Sequence, residues 1–360
     1  MSGDSEKLLL IDGHSLAYRA FFALPATMST TGGQPTNAVF GFTSMLFKVL
    51  DEEKPDRVVV ALDGPRAELE RTRWFPEYKG HRPRMPDELR GQMEMIRQLL
   101  EHLKIPVVAA PGHEADDILA TLAVRAAERG AEAVVVTGDR DVLQVVRDGI
   151  RVLMTGKGVS DTVSYDAAAV QERFGVPPER LVDVAGLKGD SSDNIPGVPG
   201  IGEKGATALI QKYGTLEELY RHLDEVSGNK RKASLEENRE SAFLSRKLAT
   251  LRTDLDLDLD PRDVRFGEWD RQEVLDYLSA LEFKALARRF MDTCGGGPSA
   301  HDDGNSDRIR YQPVDVSDRG ALDRFVSGAR EAGAVGVSAV VEGGGYCDVE
   351  LGAVAVALAS

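Results

Sequence analysis

KLLLID, residues 7–12, is an apolar run of four residues behind a single lysine, closed by an aspartate. Its continuous rather than alternating apolar character predicts a strand covered on both faces. Two more runs repeat the pattern: RVVVAL (57–62) leads into Asp63, and AVVVT (133–137) leads through Gly138 into Asp139. PVVAA (106–110) and IRVLM (150–154) add further strands, and helical patterns at 36–53, 86–103 and 115–129 lie between them. This alternation predicts βαβ units and a mainly parallel sheet flanked by helices, the α/β class. In such a sheet ligands bind outside the carboxyl ends of the strands, where these aspartates fall.

Nine carboxylates in five clusters occupy such breaks: Asp12, Asp63, Glu114/Asp116/Asp117, Asp139/Asp141 and Asp190/Asp193. Gathered at one edge they would repel one another unless cations neutralised them. Carboxylates and water are the ligands that Mg²⁺ and Mn²⁺ prefer, and two such ions roughly 4 Å apart can clamp both oxygens of a phosphodiester displacement. A helix beginning near Pro111 would put Glu114 and Asp117 on one face, with Asp116 beside them. Single acids in a first turn also cap N–H groups and complement the helix dipole, and Asp139 or Asp141 could cap a helix over DVLQVV. Three acids in four residues exceed what capping needs. No GxxxxGK[ST] phosphate loop is present, which weighs against nucleoside triphosphate hydrolysis.

The net charge of −15 argues against indiscriminate binding to anionic surfaces, although local basic patches can still dominate. One lies between Asp63 and Pro86, where Arg66, Arg71, Arg73, Lys79, Arg82 and Arg84 interleave with Trp74, Phe75 and Tyr78. Cations of this kind hold phosphates while aromatics stack on bases, though a solvated loop would read the same way. Lys230–Lys232 is either a further phosphate contact or an exposed turn. Past about residue 165 helical segments are expected near 166–173, 203–212, 215–222, 235–251 and 270–291. Within them, Gly197, Gly200 and Gly202 with Pro196 and Pro199 predict a tight hairpin entering a helix, its N–H groups facing a nucleic-acid phosphate beside Lys204 and Lys212.

Cys294 and Cys347 form neither a CxxC nor a Cys/His pattern, so neither a disulfide framework nor structural zinc is expected, and the cytosol is the expected compartment. No run is long enough for a signal peptide or a membrane span. CGGGPSAHDDGNSD, 294–307, has the composition of a flexible linker. Residues 308–360 read as the incomplete start of a second α/β domain with two short strands, so the sequence is expected to stop partway through a larger protein.

IDGHSLAYRAFFALP (11–25), ALDGP (61–65), FPEYKGHRP (75–83), GHEADD (112–117), TGDRD (137–141) and LKGDSSDNIPGVPGIGEKGA (187–206), in that order, resemble the 5′ nuclease domain of bacterial DNA polymerase I. The resemblance covers about residues 7–292 and implies a PIN-like core of the flap endonuclease superfamily. It implies a 5′ nuclease domain over 1–293, with a sheet core at about 7–165, a helical arch at about 65–104 and a helix-hairpin-helix at about 180–225. It also implies metal-dependent removal of 5′ flaps and RNA primers in lagging-strand replication and repair, by a cytoplasmic, nucleoid-associated, monomeric enzyme. Asp12, Asp63 and Asp116 would bind one ion, and Glu114, Asp117, Asp139, Asp141, Asp190 and Asp193 would hold or orient a second. Tyr18 and Arg19 would lie near the scissile strand, Lys79 and Arg82 would steer the 5′ phosphate, and Arg71 and Tyr78 would belong to the same basic, aromatic arch. The chain departs from the family at Thr72 and Arg73, where His-Glu is frequent. The hairpin would grip duplex DNA, with K⁺ or Na⁺ bound. A polymerase domain would follow in the full-length protein. Ser338 and Val340 would replace the Asp-x-Glu acids of a 3′–5′ exonuclease fold, leaving it degenerate.

Rival readings are a free-standing flap endonuclease, a PIN-like ribonuclease and a non-catalytic junction-binding module. The hairpin argues against the second, and the nine acids, which would oppose DNA affinity, against the third.

Overall fold

The computed structural model describes residues 6–156, 161–264 and 266–293, and the backbone of 335–342 and 350–358. In chain order the first unit contains β1 (Lys7–Asp12), α1 (Gly13–Ala23), α2 (Asn37–Glu53), β2 (Arg57–Ala61), α3 (Glu70–Trp74), α4 (Asp87–His102), β3 (Val107–Val108), α5 (Ala115–Glu128), β4 (Glu132–Thr137), β5 (Ile150–Thr155) and β6 (Thr162–Tyr165). A helical portion follows: α6 (Ala167–Phe174), α7 (Leu181–Lys188), α8 (Glu203–Tyr213), α9 (Leu216–Arg221), α10 (Asn229–Glu237), α11 (Arg239–Ala249), α12 (Arg271–Ala280) and α13 (Lys284–Thr293). A separate unit holds β7 (Val335–Glu342) and β8 (Glu350–Leu358), an antiparallel pair. The expected linker at 294–307 lies outside the described residues, as does most of 308–360; Ser338 and Val340 fall on β7.

The sheet order is β3-β2-β1-β4-β5-β6, parallel except for β6. Strand residues alternate between two cores. Leu9, Ile11, Val58, Val60, Val134 and Val136 pack with Phe42, Phe47, Ile96 and Phe290 on one face. Leu8, Leu10, Val59, Val135 and Val152 pack with Ile118, Leu119 and Leu122 on the other. The middles of β1, β2 and β4 are apolar at successive positions because both of their faces are covered. The chain runs from β1 out to β3 and then returns to place β4 on the other side of β1, so the strand order reverses between β1 and β4. The crevice at their carboxyl ends is the ligand position of such sheets.

Several boundaries differ from the sequence expectation. β3 shrinks to two residues at the sheet edge, because after Val108 the chain must turn to deliver Glu114. α5 begins at Ala115 rather than near Pro111, with Glu114 as its N-cap residue. Two long helical patterns each break in two, at Asn238 and at Leu281–Phe283, where Glu282 has φ +62. β6, TVSY, gave no signal because it is a half-polar edge strand. Among the described residues no helix is long and apolar enough to cross a membrane.

The hairpin between α7 and α8 rests on backbone contact between Gly189 and Gly197. Gly197 has φ +63, and a Cβ there would lie 2.3 Å from the Gly189 nitrogen. Its N–H donates to Ser245 Oγ at 2.9 Å and its carbonyl accepts from Ser241 Oγ at 2.7 Å, both on α11. Gly197 is therefore buried scaffold, contrary to its expected place in the DNA contact. Gly197→Ala is expected to destabilise by about 2 kcal/mol or more, since the positive φ and the clash add; chemical denaturation measures it, and a variant as stable as the parent would refute the constraint.

Candidate active site

The acids arrive on the carboxyl edge from five directions. Asp12 ends β1 and caps α1: Oδ1 accepts the Ser15 N–H at 2.9 Å and Oδ2 the Thr137 hydroxyl at 2.8 Å. Asp63 follows β2, and its Oδ1 accepts the Ala115 N–H at 2.8 Å. Asp139 follows β4; its N–H donates to Thr137 Oγ1 at 3.0 Å and its Oδ1 accepts the Asp141 N–H at 2.9 Å. Asp190 sits in the hairpin loop and accepts both the N–H and the hydroxyl of Ser192. Asp116 lies in the first turn of α5, and its Oδ1 is buried without a hydrogen-bond partner.

Burial raises the carboxyl pKa of Asp12 to about 7, with Asp63 and Asp139 adding repulsion. Burial likewise pushes Asp116 up, with Asp139, Asp12 and Asp63 repelling its charge. Asp141 is raised by burial and by Asp139, Asp193 and Asp190. Two acid neighbourhoods therefore overlap, one around Asp12, Asp63 and Asp116 and one around Asp141, Asp190 and Asp193. Asp139 belongs to both, and its own pKa is raised chiefly by burial. The donor set is all oxygen and includes a buried unpartnered carboxylate atom, which fits hard divalent cations. The acids form an edge rather than a closed cage: among the described residues no three are gathered as a ready metal site.

The remaining acids face cations. Asp117 is fully buried, and its two oxygens accept from Arg71 at 2.6 and 2.8 Å; it also accepts the N–H groups of Arg252 and Glu114. Against the burial that would raise it, Arg71 holds the Asp117 carboxyl below its ordinary value. Glu114 accepts from Arg71, from the Tyr78 hydroxyl at 2.9 Å and from Lys79. Asp193 pairs with Arg82 and Lys79 and lies 3.1 Å from the Tyr78 hydroxyl, whose one proton it shares with Glu114.

Two expectations for the basic segment are overturned. Arg71 is 6% exposed and all five of its N–H groups are committed, to Glu114, Asp117 and the carbonyls of Leu248 and Thr250. It is an internal counter-ion, and no donor remains for a phosphate. Tyr78 is buried with Leu69, Ile195 and Leu248, so its ring cannot stack on a base; burial and then Glu114 raise its pKa, keeping the hydroxyl a donor. Lys79 and Arg82 do reach the acid edge. Lys79 adopts φ +52, its N–H donates to the Asp193 carbonyl at 2.8 Å, and Arg82 Nε donates to the Ser192 carbonyl at 3.1 Å. The segment expected as a helical arch is a short helix and turns at 66–82, pinned onto the hairpin loop, followed by α4, which packs into the core.

The first part of the chain, residues 7–175, matches the model of the 5′-3′ exonuclease N-terminal resolvase-like domain, and residues 176–272 match that family's C-terminal SAM fold. The chain belongs to the 5′-3′ exonuclease family. DNA polymerase I of Bacillus caldotenax is 45% identical over 284 residues, which are 79% of this chain and 32% of that protein. That of Mycobacterium tuberculosis H37Rv is 44% identical over 294 residues, covering 81% and 32%. The chain thus spans about a third of the length of these relatives and is homologous to their 5′ nuclease region. Among solved structures, T5 5′-exonuclease with bound divalent metal ions (zinc) gives a TM-score of 0.58 at 19% identity, covering 81% of this chain and 99% of that one. The catalytic core of Rad2 with DNA substrate gives 0.56 at 17%, covering 81% and 92%. At such identities the likeness establishes the fold.

In this exonuclease-family chain two of the other sequence-selected residues, Tyr18 and Arg19, lie beside the acid edge. Tyr18 and Arg19 lie on α1, half-buried; Tyr18 stacks on the exposed Phe22 at 6.3 Å, and Arg19 Nε is buried without a partner. Gly200, Gly202 and Lys204 are exposed at the start of α8. Three site residues escaped the sequence reading: His14, Ser15 and Thr137. All sit inside motifs already quoted, but nothing in their type marks them, because each acts through a hydrogen bond to a neighbouring strand end.

Proposed function

We propose that the chain is a structure-specific 5′ nuclease that hydrolyses phosphodiesters in 5′ flaps, nicks and RNA primers with two divalent ions, in the cytoplasm at the nucleoid. The observation that carries this reading is the convergence of Asp12, Asp63 and Asp139 at the carboxyl ends of three adjacent parallel strands, beside the buried, unpartnered Asp116 oxygen. Divalent ions, Mg²⁺ or Mn²⁺, would supply an acidified water and a clamp on the leaving oxygen. Asp12, Asp63, Asp116 and Asp139 would hold one, and Asp139, Asp141, Asp190 and Asp193 the other. Glu114 orients Lys79, while Asp117 is occupied by Arg71 and stands outside the ligand set.

Lys79 and Arg82, now paired with Asp193, would turn to the terminal phosphate of the substrate as an ion replaces them there, with Glu114 still holding Lys79. Tyr18 and Arg19 would meet the scissile strand. The amides at Gly200 and Gly202 with Lys204 would hold a duplex phosphate, with K⁺ or Na⁺ in the hairpin. In the longer protein a polymerase domain would extend the upstream 3′ end and so displace the downstream 5′ end as a flap.

Cleavage of a 5′-flapped duplex by the parent and by Asp139→Asn tests the proposal. The parent is expected to cut with Mg²⁺ or Mn²⁺ and not in EDTA, and the variant to lose about 10³-fold or more, the equivalent of several kcal/mol of charge stabilisation. An intact flap with the parent and either ion would defeat the reading.

A further inference from the structure

The first turn of α1 reaches sideways to both strands that flank β1. His14 Nδ1 accepts the backbone N–H of Asp63 at 3.0 Å, past the end of β2. Ser15 Oγ accepts the backbone N–H of Gly138 at 2.8 Å, past the end of β4. Successive helical residues point about 100° apart, so two neighbours in one turn can serve opposite sides. The fit at Gly138 is close: a Cβ there would lie 2.9 Å from Ser15 Oγ.

The chemistry at His14 is specific. A backbone N–H can only donate, so Nδ1 carries its lone pair and the ring proton sits on Nε2. The 3.4 Å approach of Nδ1 to Asp63 Oδ2 follows from that backbone bond and is not an ion pair. Asp63 is the one exposed residue of the nine acids, so it is the acid least held by surrounding packing. Its neighbour across the site, Asp139, follows the Gly138 amide that Ser15 holds.

We propose that His14 and Ser15 are positioning residues that brace the ends of β2 and β4 against β1 and so set the spacing of the Asp12, Asp63 and Asp139 carboxylates for divalent-cation capture. This inference rests on the metal-dependent reading of the site. Charge plays no part in it; what matters is one acceptor atom on each residue. Asparagine places an oxygen near the position of Nδ1, whereas leucine keeps the bulk and loses the acceptor.

The test is Mn²⁺ binding to the full chain without DNA, followed by electron paramagnetic resonance, with the folded fraction of each variant checked by circular dichroism. Asp116→Asn is the reference for a damaged site. His14→Leu and Ser15→Ala are expected to weaken Mn²⁺ about 10-fold or more, and His14→Asn to stay within about threefold of the parent. Ser15→Ala, the smaller excision, carries the test if His14→Leu does not fold. A purely structural role would lower the melting temperature yet leave the Mn²⁺ dissociation constant of the folded protein unchanged, and that result overturns the brace. Asparagine performing as badly as leucine overturns the acceptor role. A parent that binds no Mn²⁺, or that matches Asp116→Asn, overturns the function proposal together with the brace.

Discussion

Asp116→Asn is expected to abolish cleavage while making the ion-free protein more stable. The Asp116 carboxylate is buried, one of its oxygens has no partner, and Asp139, Asp12 and Asp63 all oppose its charge. An amide of the same shape removes that repulsion, and a gain of about 0.5 to 2 kcal/mol in EDTA is typical of relieving a functional site. The pH dependence fixes the sign. A carboxyl whose folded pKa lies above its unfolded value keeps its proton longer in the native state, so stability falls as pH rises between the two values. For Asp12 that window runs from the ordinary carboxylate value to about 7. The advantage of Asp116→Asn should therefore be large at pH 8 and shrink toward pH 4, where the parent is protonated too. Divalent ions should reverse the order by stabilising the parent through binding. Urea titrations at both pH values, with and without Mg²⁺, measure all of this. A variant less stable than the parent in EDTA at pH 8 would show that the acid edge is not under electrostatic strain.

Arg71→Met is expected to cost about 3 to 5 kcal/mol, the penalty of leaving a buried charge without its partner. Asp117 would keep only backbone donors, and Glu114 would lose one of its three partners. The same arginine ties α3 to the carbonyls of Leu248 and Thr250, so the basic segment would also come loose from the end of α11. Pairing Arg71→Met with Asp117→Leu should recover part of the loss, because an apolar pair of similar volume needs no compensation. Denaturation of the single and double variants decides between an internal counter-ion and a DNA contact. If Arg71→Met kept full stability and only bound DNA more weakly, the internal role would be wrong.

Most of the sheet was legible because a strand buried on both faces must be apolar at every position, and KLLLI, RVVVAL and AVVVT satisfy that without reference to any other part of the chain. The acids were legible for a related reason: a parallel sheet sends every such strand end to one edge, so Asp12, Asp63 and Asp139 had to share it, while the order β2-β1-β4 made them neighbours. The edge strand β6 and the breaks within the two long helical patterns were not legible. Their causes are an exposed, half-polar face and turns set by packing.

The residue types and their order were enough to place a carboxylate-rich edge on an α/β sheet and a glycine hairpin beside it. They could not say which charges face one another, since a side chain's partner across a hundred residues depends on how the layers close. Folding alone turned Arg71 and Tyr78 inward, made Asp117 an ion-pair partner, and pointed His14 and Ser15 at the two neighbouring strand ends. Composition sets what must be buried or neutralised, but buried charge is neutralised by whichever opposite charge the tertiary structure brings within hydrogen-bond reach.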